Sequence, residues 1–293
     1  MTEKPREQAS DEQTSDEQYC FYLVKNHDQD SYLSSLLAPA EKRRYLFAIY
    51  AFQVEIENCI SQVSEAPIGE IRLQWWIDTL DILFSGRGAN HPVARELSFA
   101  ISECDLPKHL FANLIYERRN DLYPQPIKTN QELFDYCTAT KGAIIELSLR
   151  TLIGYEALEL EAEIKFCGLA LGVCSILNTF PVHLSRKRCM VPLEALHEAN
   201  LTEQSVFLKQ PPQELMLELV KLRHLATQQI TQARIEQTKV SKQALPAFYP
   251  SSLVDLYLKQ LADENHSPFT MIAECSQLSK QWHLFKKSWL EKF

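Results

Sequence analysis

A chain of 293 residues with seven glycines, 30 Lys and Arg against 38 Asp and Glu, and a formal charge of −8 excludes several function classes at once. Dinucleotide, P-loop and nucleophile-elbow sites need glycines at fixed places so that backbone can turn tightly or approach an anion, and no GxGxxG, GxxxxGK[ST] or GxSxG occurs. The acidic balance opposes general nucleic-acid binding, whose affinity comes from neutralised phosphates.

The opening run "MTEKPREQASDEQTSDEQ" is acidic and polar. It lacks the basic and apolar regions of a secretory signal and the Arg-rich character of a transit peptide. It reads as a disordered tail over 1–18, followed by one domain over 19–293. In "EKRRYLFAIYAFQVEIENCIS", Phe47, Tyr50 and Val54 recur at helical spacing, with Pro39 in a first-turn position and Glu41 suited to the positive end of the dipole. "RLQWWIDTLDILF" follows, with Leu73, Trp76, Ile77, Leu80, Leu83 and Phe84 on one face and Arg72, Asp78 and Asp81 on the other. Trp75 and Trp76 are adjacent, so only one of them can face the core.

Further along, Leu215, Leu219, Leu222, Ala226 and Ile230 share a face behind Pro212. Proline-containing breaks at "SEAPIG", "SGRGANHP", "YPQPIKTN", "KQPP", "ALPAFYPSS" and "ENHSPF" delimit about eight to ten helices, without strand alternation or repeats. The pattern predicts a single all-α domain. The longest nearly apolar stretch, "CGLALGVCSIL", is about half of the roughly 20 residues that span a bilayer. A soluble, cytoplasmic protein is expected, with membrane contact limited to the periphery.

Eight cysteines, at 20, 59, 104, 137, 167, 174, 189 and 275, form no CxxC pair and read as buried free thiols. Cys167, Cys174, His183 and Cys189 match no usual zinc spacing. More telling is the run from Gly168 to Leu193, which holds no Asp or Glu in an otherwise acidic chain.

Three stretches resemble the squalene/phytoene synthase superfamily: "FAIYAFQVEIENCIS" at 47–61, "ERRNDLYPQPIKTNQELFDYCTATKGAIIELS" at 117–148 and "GLALGVCSILNTFPVHLSRKRCMVPLEAL" at 168–196. "ALPAFYP" also fits, and the likeness extends over about 19–262. It implies an isoprenoid-synthase-like helical bundle around a central cavity. Active members of that superfamily hold a substrate diphosphate through Mg2+ on two aspartate-rich helices, because carboxylates one turn apart supply the oxygen shell a hard ion demands. Here the positions of an R-x-x-D-D-x-x-D motif are Val54, Glu57, Asn58 and Ser61. Those of Q-x-x-N-x-x-R-D-x-x-x-D are Gly172, Ser175, Asn178, Thr179 and His183. One carboxylate survives, so the acid-free run is the helix that ought to carry the second metal motif.

The resemblance therefore implies a degenerate site without catalytic residues, cofactor or metal. "FAIYAFQVEI", "SEAPIGEIRLQWWIDTL", "YERRNDLYPQP" and "TATKGAIIELSLRTLIG" are similar to a non-catalytic branch that includes the mitochondrial assembly factor for respiratory complex I and its bacterial relatives. It implies an accessory or assembly role in a bacterial relative, with a respiratory-chain partner, and it leaves open an isoprenoid or lipid ligand. Two alternatives stand beside it: a working prenyl diphosphate transferase with an atypical Mg2+ site, and an isoprenoid or lipid carrier.

The candidate ligand-binding positions each have a plainer reading. Tyr50 and Tyr136 match cavity-lining aromatics of the synthases or pack as core. Glu57, Asn58 and Ser61, like Asn178, Thr179 and His183, hold a polar ligand head or form a polar interior patch. Arg118, Arg119 and Asp121 pair locally or steer an anion at the cavity mouth. Arg186 and Arg188, with Lys187 between them, form a phosphate or membrane-surface patch or an ordinary basic surface.

Overall fold

The computed structural model describes the backbone of residues 5–293, and side chains from residue 15 onward except that of Thr238. Among the described residues there is no strand, as the scarcity of glycine and the helical periodicity predict. The chain runs through α1 (Pro5–His27), α2 (Gln29–Ser35), α3 (Ala40–Ser61), α4 (Ala66–Phe84), α5 (Pro92–Cys104), α6 (Lys108–Arg119), α7 (Asn130–Cys137) and α8 (Ala143–Ile153). It continues with α9 (Glu161–Asn178), α10 (Phe180–Ser185), α11 (Leu193–Glu198), α12 (Gln213–Glu236), α13 (Leu245–Ser252), α14 (Val254–Leu261) and α15 (Gln277–Trp289).

Short 3-10 turns connect several of these helices. A π-helical segment, Thr138–Gly142, joins α7 to α8 without a break. The helices outnumber the eight to ten expected because six of them, α2, α7, α10, α11, α13 and α14, are only 6–8 residues long. "ALPAFYPSS" is itself helical rather than a break: Pro246 sits in the first turn of α13, where its missing N–H costs nothing, and Pro250 is tolerated near the end.

The tail expected over 1–18 also requires correction. The chain is helical from Pro5, and Asp16 is buried with Arg95 donating to both its carboxylate oxygens at 2.5 and 2.7 Å. Glu, Gln, Ala and Ser are compatible with a helix. What the sequence does not display is the charged partner 79 residues away. Residues 1–4 lie outside the described residues.

α3 is the central element. Residues 46–54 of it are buried without interruption, packed among α1, α5 and α8. Phe52 meets Trp76 and Phe111 edge to face at 5.3 Å. Trp76 is buried and Trp75 exposed, as their adjacency requires. α9 lies alongside α12 on one side and α7 with the π segment on the other.

That second approach is close enough to need glycine. A Cβ at Gly168 would stand 2.7 Å from Gly142 Cα and 2.9 Å from its backbone nitrogen. One at Gly172 would stand 2.6 Å from Cys137 Sγ. All eight cysteines are free, and Cys20, Cys59, Cys137, Cys167, Cys174 and Cys189 are buried.

Candidate functional site

Gln53 and Glu57 lie one turn apart on α3 and project toward the π segment and α6. Glu57 Oε1 accepts from Gln53 Nε2 at 3.2 Å, Arg118 Nη2 at 3.0 Å and Lys141 Nζ at 3.3 Å. Burial pushes this carboxyl up, but the charges of Lys141 and Arg118 and the hydrogen bonds outweigh burial and hold it below the ordinary carboxylate range. The same oxygen is thus already served by two cations and an amide.

From Glu57 the network continues inward. Arg118 Nη1 donates to Asp121 Oδ2 at 3.0 Å and to the Tyr136 hydroxyl at 2.9 Å, and that hydroxyl donates to Asp121 Oδ2 at 2.9 Å. Arg188 Nη2 closes the other side, 2.6 Å from Asp121 Oδ1. The two guanidinium carbons lie 5.7 and 5.6 Å from the Tyr136 ring centroid, so the ring sits between two cations. Three cations, Arg118, Lys141 and Arg188, face two carboxylates, Glu57 and Asp121.

On the α9–α10 side, the Thr179 hydroxyl donates to the Ser175 carbonyl at 2.8 Å, which leaves its lone pairs facing His183 Nε2 at 3.2 Å. Burial first, then the Arg188 charge, push the His183 imidazole down to about 4, so it is neutral near pH 7. Asn178 Oδ1 accepts from the Ala273 backbone at 2.6 Å. Gly172 lies against Cys137, and Ser175 faces the interior.

The structure disperses several residues that the family motifs place together. Asn58 is rotated about 100° from Glu57. It accepts from Gln62 at 3.0 Å and lines a separate open groove with Tyr19 and Trp75. Ser61 is exposed, and its carbonyl accepts from Arg186 at 3.1 Å. Arg119 turns toward α4 and pairs with Glu70 at 2.9 Å.

The basic cluster at 186–188 does not form one unopposed patch. Arg188 is buried on Asp121, while Lys187 is exposed and takes a left-handed backbone at φ 53°. Consecutive residues in a turn point different ways. Arg186 and Arg188 do share a pocket of about 230 Å³, but Asp121 and Glu65 line it too.

A neighbouring cavity joins Tyr50 and Asn178, both expected from the sequence, to Asp28, Gln53 and Lys141, which were not legible as site residues. It lies between α2, α3, α8, α9 and α13 with a volume of about 140 Å³, and Ser175 also lines it. That is smaller than the roughly 300 Å³ at which ligand pockets usually begin. Asp28 caps α2, accepting from Ser31 N at 3.1 Å. Burial raises its pKa against the opposing charge of Lys141. Asp30 is held by Tyr257 at 2.8 Å and Lys280 at 2.7 Å. The only local signal was the "DQD" at the start of α2, a common capping pattern. Lys141 lay within a quoted stretch but carried no role.

Mg2+ does not fit these residues. It demands a near-octahedral oxygen shell, and Glu57 offers one carboxylate already engaged by two cations. The second motif supplies no carboxylate, and among the described residues no group of three or more His, Cys, Asp or Glu is placed to hold a metal.

The squalene/phytoene synthase family model matches residues 24–283. The chain belongs to that family. A Bos taurus protein named NADH dehydrogenase (ubiquinone) complex I, assembly factor 6, is 27% identical over 277 residues, which cover 94% of this chain and 83% of that protein. A chloroplastic phytoene synthase of Narcissus pseudonarcissus is 27% identical over 193 residues, covering 64% of this chain and 45% of that protein. A dehydrosqualene synthase in complex with ligand superposes at a TM-score of 0.83 and 20% identity, over 97% of this chain and 99% of the other. The isoprenoid-synthase-like bundle implied by the three quoted stretches is the fold observed.

Proposed function

We propose that this chain is a non-catalytic member of the squalene/phytoene synthase family that acts as an accessory or assembly factor for a membrane respiratory enzyme of the complex I type. One observation carries the first half: the sole carboxylate left at the two metal motifs is bonded to Arg118 and Lys141. Leaving-group diphosphate needs a divalent counter-charge as it departs, and a carboxylate neutralised by the protein's own cations cannot collect one. The second half is supported by the relatives named complex I assembly factor 6, which match 94% of the chain where the phytoene synthase matches 64%.

Deleting the gene in the source organism tests the assembly role. Loss of assembled NADH dehydrogenase on native gels, restored by the wild-type gene, is the expected result. Normal assembly in the deletion strain would overturn it. Isoprenoid or lipid binding is a subordinate reading, motivated by the apolar wall that Ile144, Ile145, Leu171 and Ala247 give the cavity. Native mass spectrometry of the purified chain distinguishes a carrier, which retains an apolar ligand, from a ligand-free scaffold.

A further inference from the structure

A helix on the surface of a water-soluble fold ordinarily turns its apolar stripe inward. α15 does the reverse. Its buried positions include Lys280, whose ammonium sits 2.7 Å from Asp30 and 5.1 Å over the Tyr257 ring, with Leu284 beside it. Its outward stripe is Leu278, Trp282, Phe285 and Trp289, residues spaced by four, three and four along one face and 60–79% exposed. The rings of Trp282 and Phe285 stack at 6.0 Å, which makes part of the stripe a continuous aromatic surface.

Charge separates this face from an ordinary apolar patch. α15 contains no acidic residue, although the chain carries −8 overall. Lys286 and, just beyond the helix, Lys292 are exposed, while nearby Glu291 is paired with Lys242. Trp and Phe on a stripe with Lys at its flank match a helix lying in the headgroup layer of a bilayer. There the rings enter the acyl boundary and the ammonium groups meet lipid phosphates. No helix among the described residues is long and apolar enough to cross a membrane, so contact through α15 is peripheral.

We propose that α15 docks the protein on an anionic lipid surface, with Leu278, Trp282, Phe285 and Trp289 inserted and Lys286 and Lys292 against the headgroups. Purified full-length chain is mixed with phosphatidylcholine vesicles with and without phosphatidylglycerol, and bound protein is measured by flotation. Binding to the phosphatidylglycerol vesicles is expected, with Trp fluorescence quenched by brominated acyl chains. Trp282→Ala with Trp289→Ala should weaken it by roughly tenfold or more, and Lys286→Gln and Lys292→Gln by roughly fivefold each. These side chains face water, so the variants should keep the wild-type thermal midpoint, which separates lost docking from lost folding. No binding to either vesicle, or equal binding by the tryptophan variant, would overturn the proposal. So would self-association in sedimentation that the tryptophan variant abolishes without any lipid binding, which would assign the stripe to a second copy. The vesicle measurement involves no respiratory protein, so its outcome is independent of the assembly role.

Discussion

Asp121 is the residue on which the polar network turns. Its side chain, 7% exposed, lies between Arg118 and the buried Arg188. Replacing Asp121 with Asn would leave a desolvated guanidinium without its counter-charge, a change that typically costs about 3–5 kcal/mol. A large drop in the urea midpoint is the expected outcome, whereas Arg119→Ala, on the half-buried Glu70 pair, should cost less, on the order of 1 kcal/mol. His183 gives the network a pH signature. Its folded pKa of about 4 lies below the unfolded value of 6.5, so its contribution is fully present above pH 6.5 and is lost as pH falls from there toward 4. The slope from this one group is at most about 1.4 kcal/mol per pH unit. Urea titrations at pH 7 and pH 5 should show a smaller difference in His183→Gln than in the wild type. Candidate residues such as Glu57, Arg118, Asp121 and Tyr136 were legible because the family motifs mark them. Their closure was not: Lys141 reaches Glu57 across 84 residues, and nothing in a local pattern records a long-range ion pair. The parting of Asn58 from Glu57, by contrast, follows from helical geometry alone and was open to sequence reasoning.

At the scale of elements, the contact of α9 with the π segment sets the position of Lys141 and the second motif. It depends on Gly168, where an added methyl would collide with the Gly142 backbone rather than with a flexible side chain. Gly168→Ala should therefore destabilise by about 1–3 kcal/mol, the range for overpacking, despite the better helix propensity of alanine. A stabilised variant by thermal unfolding would show that the helices separate freely there. Long helices such as α3, α4 and α12 were legible from apolar spacing and proline-marked starts. The short ones were not, because α10, α11 and α14, at 6–8 residues, hold about two turns, too few for an apolar period to register. α13 was hidden because proline reads as a break until its place in the first turn is known.

At the scale of the molecule, the all-α class followed from glycine scarcity and a single period of hydrophobicity. The outward aromatic stripe of α15 did not, because a periodic stripe in the sequence does not say which side faces the core. That side is decided here by the buried Lys280 and its partner Asp30, 250 residues apart. The bundle thus retains the family scaffold, and the charges at its centre pair with one another. The most direct measurement is diphosphate release by the pure protein incubated with farnesyl or geranylgeranyl diphosphate and Mg2+. Release no faster than in protein-free controls is predicted. Mg2+-dependent release on the order of 1 per second or more, within the range of ordinary enzymes, would contradict a silenced centre.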